Sequence, residues 1–113
     1  MPHDVRKSLL DAVEACRAIQ KFSTGLTLES YQASHLHRSA IERQFEILGE
    51  ALNTVRREAP HFSNRIPEIH RIIGMRNHII HGYANVNDAI VWDVVQSRIP
   101  HLIRVLERER KSS

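Results

Sequence analysis

Cysteine is almost absent from this chain, because Cys16 is the only one among its 113 residues. An internal disulfide is therefore excluded, which favours a reducing compartment such as the cytoplasm. The first residues contain no apolar signal core, and no stretch approaches the ~18 consecutive apolar residues of a membrane span. We expect a cytoplasmic protein that does not contact a membrane.

Glycine and proline are also scarce, with 4 of each, and β-branched residues form no alternating runs. The lack of alternating runs argues against a sheet, whereas the few glycines and prolines and the 42% of hydrophobic residues argue against a disordered chain. The length predicts one domain with a single modest core, over residues 1–113. The net charge of +3 is only mildly basic, so it permits RNA binding without indicating it.

Apolar residues recur at helical spacing through most of the chain. The first such segment covers residues 3–21, and the pair Thr24-Gly25 ends it. Thr27 is the expected N-cap of a second segment, which pauses near Ser34 and continues to about Ala59. The core positions of this second segment are Ile41, Phe45, Leu48, Leu52 and Val55.

Two more helical segments follow a connection at residues 59–64. One opens at Pro67 and ends at Gly82, and the last is capped by Asn85 or Asn87 and kinked at Pro100. The inner stripe of the last segment is Val91, Val94, Val95, Ile99, Leu102, Ile103 and Leu106. The pattern as a whole predicts an all-α fold, an antiparallel bundle of four or five helices.

The segment Gly74–Tyr83, with sequence GMRNHIIHGY, places an arginine where a charge is costly. On a 3.6-residue period Arg76 lies within an apolar stripe, so it must be paired or must line a cavity. The stripe consists of Ile69, Ile72, Ile73, Ile79 and Ile80. The second helical segment offers Glu42, Glu46 and Glu50 as partners, and Gly49 beside them indicates close approach of a neighbouring helix. We predict that one of these glutamates holds Arg76.

The same segment has the composition of an anion site. His70, Asn77 and His81 fall on one flank of the helix, and a fixed guanidinium beside imidazole and amide donors suits a phosphate. A purely structural arginine–carboxylate pair is the alternative. The 8 histidines include no His-x3-His pair with a carboxylate, so we expect neither a metal site nor a cofactor.

Four sequence blocks occur in a fixed order along the chain. They are IERQFEILGEA at 41–51, Ile66-Pro67, the GMRNHIIHGY segment, and VNDAIVWDVV at 86–95 with IPHL at 99–102. Their content and order resemble the HepT-like ribonuclease toxins of the HEPN superfamily. The resemblance implies a homodimer that acts as the toxin of a type VII-like toxin–antitoxin pair, beside a minimal, MntA-like nucleotidyltransferase antitoxin.

The resemblance also implies metal-independent endoribonuclease activity. RNA supplies its own nucleophile, the 2′-hydroxyl, so the protein need only hold the phosphate and manage protons. We assign phosphate binding to Arg76 and proton transfer to His81, since imidazole titrates near neutral pH. Asn77 and His78 are candidates for supporting contacts to the RNA phosphate. The resemblance further implies that such an antitoxin would transfer AMP to Tyr83.

A second function remains open at this point. The chain would then be a non-catalytic helical subunit that binds a nucleotidyltransferase and presents substrates to it. Such a subunit would use Arg76 and Tyr83, whereas only the nuclease needs an imidazole at His81.

Overall fold

The computed structural model describes residues 3–82 and 85–112, and the regular secondary structure in these ranges is all helical. The helices are α1 (His3–Ser23), α2 (Leu28–Ala33), α3 (His35–Glu58), α4 (Pro60–Ser63), α5 (Ile69–His81), α6 (Asp88–Ser97) and α7 (Ile99–Ser112). Within the same described ranges, no helix is long and apolar enough to cross a membrane. The prediction of an all-α bundle is confirmed, with α1, α3, α5, α6 and α7 as its main helices.

The helix boundaries follow from local capping chemistry that the sequence predicts. Gly25 turns the chain after α1 with a φ of 78°, which only glycine adopts without strain. Thr27 caps α2, forming a reciprocal capping box with Ser30. Ser34 separates α2 from α3 and accepts the backbone N–H of His37, so the predicted pause near Ser34 is a real break.

Two boundaries differ from the sequence-based expectation. The connection after Ala59 contains a short helix, α4, because proline is well suited to the first turn of a helix. Pro67 lies in a turn before α5, which begins two residues later at Ile69. Proline lacks the N–H needed further inside a helix, so its place before the first turn is equally compatible with its chemistry.

The last predicted helix is two helices rather than one kinked helix. The break falls at Arg98, and Pro100 is the second residue of α7, where its missing N–H costs no intrahelical bond. Asn87 caps α6 by accepting the backbone N–H of Ile90 at 3.2 Å, as expected. The inner stripe predicted for this region is buried throughout.

The core lies between α3 and its neighbours, with α1 on one side and α5 on another. All five predicted core positions of α3 are fully buried. Trp92 is a packing residue, because its ring stacks on that of the buried Tyr31 with the ring centroids 5.2 Å apart. Cys16 is also a core residue, and burial raises the pKa of its thiol to about 12.

The charged C-terminal segment is more deeply embedded than its composition predicts. The alternating charges of residues 104–111 are typical of a solvated face, yet Glu109 is buried and lies 3.7 Å from the guanidinium of Arg65. Glu107 lies 3.6 Å from Arg17 of α1 and 3.0 Å from Arg110. These ion pairs join α7 to α1 and to the turn after α4.

Candidate functional site

Close contact between α3 and α5 determines the position of Arg76. A Cβ placed on Gly49 of α3 would lie 2.4 Å from Cβ of Arg76, and 2.8 and 2.9 Å from its Cδ and Cγ. No residue other than glycine fits this contact without moving a helix. The aliphatic part of Arg76 therefore lies against the bare backbone of α3, as the position of Gly49 in the sequence suggested.

We expect Gly49→Ala to lower the free energy of unfolding by about 2 kcal/mol, because overpacking outweighs the gain in helix propensity. Urea denaturation measures the change. Gly74→Ala is the matched control, since a Cβ there meets nothing within 4 Å and Gly74 also lies inside a helix. The control is expected to raise stability by up to ~1 kcal/mol. Equal shifts in both variants would contradict the close contact at Gly49.

The guanidinium of Arg76 is oriented by two polar neighbours. Its Nη2 lies 2.8 Å from Oε2 of Glu50, and its Nη1 donates to Oδ1 of Asn77 at 3.2 Å. Its Nε is buried and has no hydrogen-bond partner among the described residues. The Arg76 side chain is 26% exposed and that of Glu50 is 59% exposed, so water screens the ion pair and its net contribution to stability is small.

The other two candidate glutamates lie elsewhere on α3. Glu46 is paired with Arg43, with 3.0 Å between nitrogen and oxygen. Glu42 belongs to a different cluster, where burial and the nearby Asp88 carboxylate raise its pKa. Among the three predicted partners, Glu50 is therefore the one that contacts Arg76.

The apolar stripe around Arg76 is largely as predicted, with one correction. Ile69, Ile72, Ile73 and Ile79 are buried, but Ile80 is 36% exposed. Met75 is buried instead, since the core-facing side of α5 extends further round the helix than the predicted stripe. Ile80 instead lines the groove beside Arg76, together with Ile47 of α3.

The candidate histidines are spread along α5. His81 is exposed and is the last residue of the helix, which Gly82 ends. Helix geometry separates it from Arg76 by ~7.5 Å along the axis and ~140° around it. His78 is half-buried, and its Nε2 accepts the backbone N–H of Asn87 at 3.2 Å. One imidazole is thus available to solvent, while the other fixes the connection to α6. Tyr83 lies outside the described residues.

A groove of about 450 Å³ borders Arg76 between α1, α3 and α5. Its charged residues are Asp11, Arg43, Glu46, Glu50 and Arg76. Three carboxylates therefore face two guanidiniums, which makes the groove a poor site for an RNA phosphate. No group of three metal-ligating side chains is arranged to hold an ion in residues 3–82 and 85–112.

A further polar cluster crosses the same helix contact and was missed in the sequence. Arg56 of α3 reaches Nδ1 of His70 on α5, with 3.0 Å between the nitrogens. It also donates to Oδ1 of Asn53 at 3.1 Å. The three-residue spacing of Asn53 and Arg56 indicates that these two side chains can interact on one helix. The contact of Arg56 with His70 joins two helices, so the periodicity of either helix does not predict it.

The protein is thus an all-α bundle in which Arg76 and His81 lie on the same helix, α5, and α5 packs against α3. The family described as "Ribonuclease HepT-like" matches residues 12–109, and the chain belongs to this family.

Three relatives illustrate the similarity. "Probable ribonuclease HepT" of Thermococcus cleftensis is 30% identical over 105 residues, covering 91% of this chain and 93% of the relative. "Putative RNase MJ0127" of Methanocaldococcus jannaschii is 28% identical over 106 residues, covering 92% and 85%. "Putative RNase TTE0752" of Caldanaerobacter subterraneus is 28% identical over 109 residues, covering 93% and 96%. No solved structure matches the chain.

Proposed function

We propose that the protein is a ribonuclease, and more specifically a metal-independent endoribonuclease that acts as a toxin. Family membership and the names of the relatives support the general activity. The observation that carries the specific proposal is the fixed guanidinium of Arg76. The aliphatic part of Arg76 packs on Gly49, its guanidinium donates to Asn77, and part of the side chain is still exposed to solvent. A preoriented, accessible guanidinium is suited to a phosphodiester.

The proposed reaction uses the 2′-hydroxyl of the RNA as the nucleophile. Its oxygen attacks the adjacent phosphorus as its proton passes to a base, and the bond from phosphorus to the 5′-oxygen breaks as that oxygen receives a proton. The products are a 2′,3′-cyclic phosphate and a 5′-hydroxyl. Arg76 would neutralise charge on the phosphate oxygens, and His81 would transfer a proton. Asn77 and His78 remain proposed supporting residues.

Glu50 bears directly on how Arg76 could accept a phosphate. The ion pair already satisfies one edge of the guanidinium, so an incoming phosphate must displace or share with the carboxylate. Because the side chain of Glu50 is mostly exposed, its carboxylate can rotate away from Arg76 into solvent at a small cost in free energy. The pair therefore leaves the site open to an anion, while the packing on Gly49 keeps Arg76 in position.

A homodimer would solve the separation of Arg76 and His81. The two side chains leave α5 in directions ~140° apart, so one copy presents a thin catalytic site. A two-fold interface would add a second arginine and a second histidine to one cleft. The partly exposed Ile80, beside Ile47 in the groove, offers apolar area for such an interface.

We further propose a nucleotidyltransferase antitoxin as the partner in the cell. Its proposed target is Tyr83, two residues beyond His81 in the sequence. AMP on that tyrosine would place a phosphate and a base next to the catalytic pair, which would occupy and neutralise the anion site.

One observation favours the non-catalytic alternative, in which the bundle presents substrates to a nucleotidyltransferase. Arg76 is already paired with Glu50, as expected for an arginine with a structural role. The two functions differ in their need for His81, so the loss of growth arrest in a His81 variant would favour the nuclease.

Cleavage of labelled RNA by the purified protein is expected to continue in excess EDTA at an undiminished rate. The reaction proposed needs only the 2′-hydroxyl, a guanidinium and an imidazole, so a chelator removes nothing from it. Gel analysis with end-group determination measures both the rate and the products. Loss of cleavage on chelation, or products with 5′-phosphate ends, would contradict the mechanism. If the wild-type protein neither cuts RNA nor slows growth, the alternative function is supported.

A further inference from the structure

Arg56 is a second guanidinium that is fixed across the contact between α3 and α5. Its Nη1 lies 3.0 Å from Nδ1 of His70, and its Nη2 donates to Oδ1 of Asn53 at 3.1 Å. A guanidinium has only donors, so a hydrogen bond here requires that Nδ1 of the imidazole accept. The groups that orient Arg56 are thus an imidazole and an amide, and neither supplies a negative charge.

Among the residues that the structure describes, this combination of orientation and uncompensated charge is found at Arg56 alone. In the described part of the chain, Arg6, Arg56 and Arg104 are the arginines with no carboxylate oxygen within 4.0 Å. Arg6 and Arg104 are exposed, and no side-chain hydrogen bond in that same part of the chain orients them. A fixed cation without a counter-charge is suited to an anionic ligand.

The position of Arg56 relates it to the proposed catalytic site. His70 precedes Arg76 by six residues, ~9 Å along α5, and Arg56 follows Gly49 by seven residues, ~10 Å along α3. These two lengths agree because both measure the distance between the same two contacts, that of Arg76 with Gly49 and that of Arg56 with His70. The helix contact thus carries two oriented arginines whose backbone positions lie about 10 Å apart along the helix axes. Each donates to the amide oxygen of an asparagine, Asn77 or Asn53.

The surface of α5 between these two points is open. Gly74 lies between His70 and Asn77 in sequence and is exposed, and a Cβ added to it would meet nothing within 4 Å. His70, Asn77 and His81 are exposed as well. The groove near Arg76, in contrast, is lined by three carboxylates and two guanidiniums, and this excess of negative charge disfavours a phosphate backbone. A strand that reaches Arg76 along the exposed face of α5 therefore meets less repulsion than one in the groove.

We propose that Arg56, oriented by His70 and Asn53, binds an RNA phosphate that flanks the scissile one. The strand then runs over Gly74, with its scissile phosphate at Arg76. This subsite rests on the proposed function, because it assigns a second contact to the same RNA substrate. Its role is binding, so it affects the use of longer strands and leaves the chemistry at Arg76 unchanged.

Substrate length provides the first test, because a dinucleoside monophosphate contains the scissile phosphate and no flanking one. With an RNA of about ten nucleotides, Arg56→Gln is expected to lower kcat/KM by about tenfold, mainly through KM. With the dinucleoside monophosphate, the same variant is expected to match the wild type within about twofold. Arg104→Gln removes the same charge from an exposed arginine on α7 and is the control for charge alone. Equal effects of the two variants, or an equal effect of Arg56→Gln on both substrates, would overturn the subsite.

Binding of uncleavable RNA separates this proposal from the proposed function. A fluorescent 2′-O-methyl oligonucleotide lacks the nucleophile, and anisotropy measures its Kd over a range of salt concentrations. Arg56→Gln is expected to reduce the slope of log Kd against log salt by about 0.7, the value for one single-strand phosphate contact. An unchanged slope, or no binding by the wild type, would overturn the subsite. A reduced slope in a protein that cleaves no RNA would refute the nuclease while supporting the phosphate contact.

Discussion

Arg76→Gln is expected to reduce the rate of RNA cleavage by about 10²–10³-fold, the usual cost of removing one donor to a developing oxyanion. Glutamine keeps the Cβ, Cγ and Cδ carbons that pack on Gly49, so the contact between α3 and α5 is preserved. The variant loses the positive charge and the paired N–H donors of the guanidinium. Single-turnover cleavage of labelled RNA measures the rate, and urea denaturation should show a change in stability below ~1 kcal/mol because the lost ion pair is partly exposed.

Glu50→Gln is the matched control for Arg76→Gln. It removes the same ion pair from the other side and leaves the guanidinium in place on Gly49. We expect its cleavage rate to stay within about threefold of the wild type, since Glu50 is not proposed to contact the substrate. If both variants lose activity equally, the ion pair itself is what matters, and the assignment of Arg76 to the phosphate is refuted.

His81→Ala is expected to lower RNA cleavage by at least about 100-fold, the lower bound for the loss of a positioned general acid or base. The side chain is exposed at the end of α5, so the free energy of unfolding should change by less than ~0.5 kcal/mol. Binding of uncleavable RNA should be nearly unchanged, because the role assigned to His81 is proton transfer. Added imidazole is expected to restore part of the activity.

His101→Ala is the control for His81→Ala, since it removes an exposed imidazole from α7. It should cleave RNA like the wild type. A His81 variant that cleaves within about threefold of the wild type would exclude the imidazole from the reaction. If His81→Ala instead loses both cleavage and RNA binding, His81 acts as a phosphate ligand rather than in proton transfer.

The helices and the core were predictable because each rests on local chemistry or on one repeating period. Thr27, Ser34 and Asn87 cap helices through side-chain bonds to residues three positions away. The buried stripes of α3 and α7 follow from the 3.6-residue period. The break at Arg98 was not predicted, since a proline in a helical pattern allows either a kink or a new helix start.

The candidate site was predictable only in part, because its decisive contacts join different helices. Gly49 signalled a close approach, and Arg76 signalled a partner, yet the choice of Glu50 over Glu42 and Glu46 depends on how α3 and α5 are aligned. The contact of Arg56 with His70 depends on the same alignment, over a separation of 14 residues. A period identifies the face of one helix and does not determine its register against another.

The burial of Cys16 gives the protein an internal reporter. It is the only cysteine in the chain, it has no solvent exposure, and its raised pKa keeps the thiolate scarce. A thiol reagent can modify it only in molecules whose bundle has opened, so the labelling rate follows the opening equilibrium. Each variant above can thus be checked for native packing by mass spectrometry, without adding a probe.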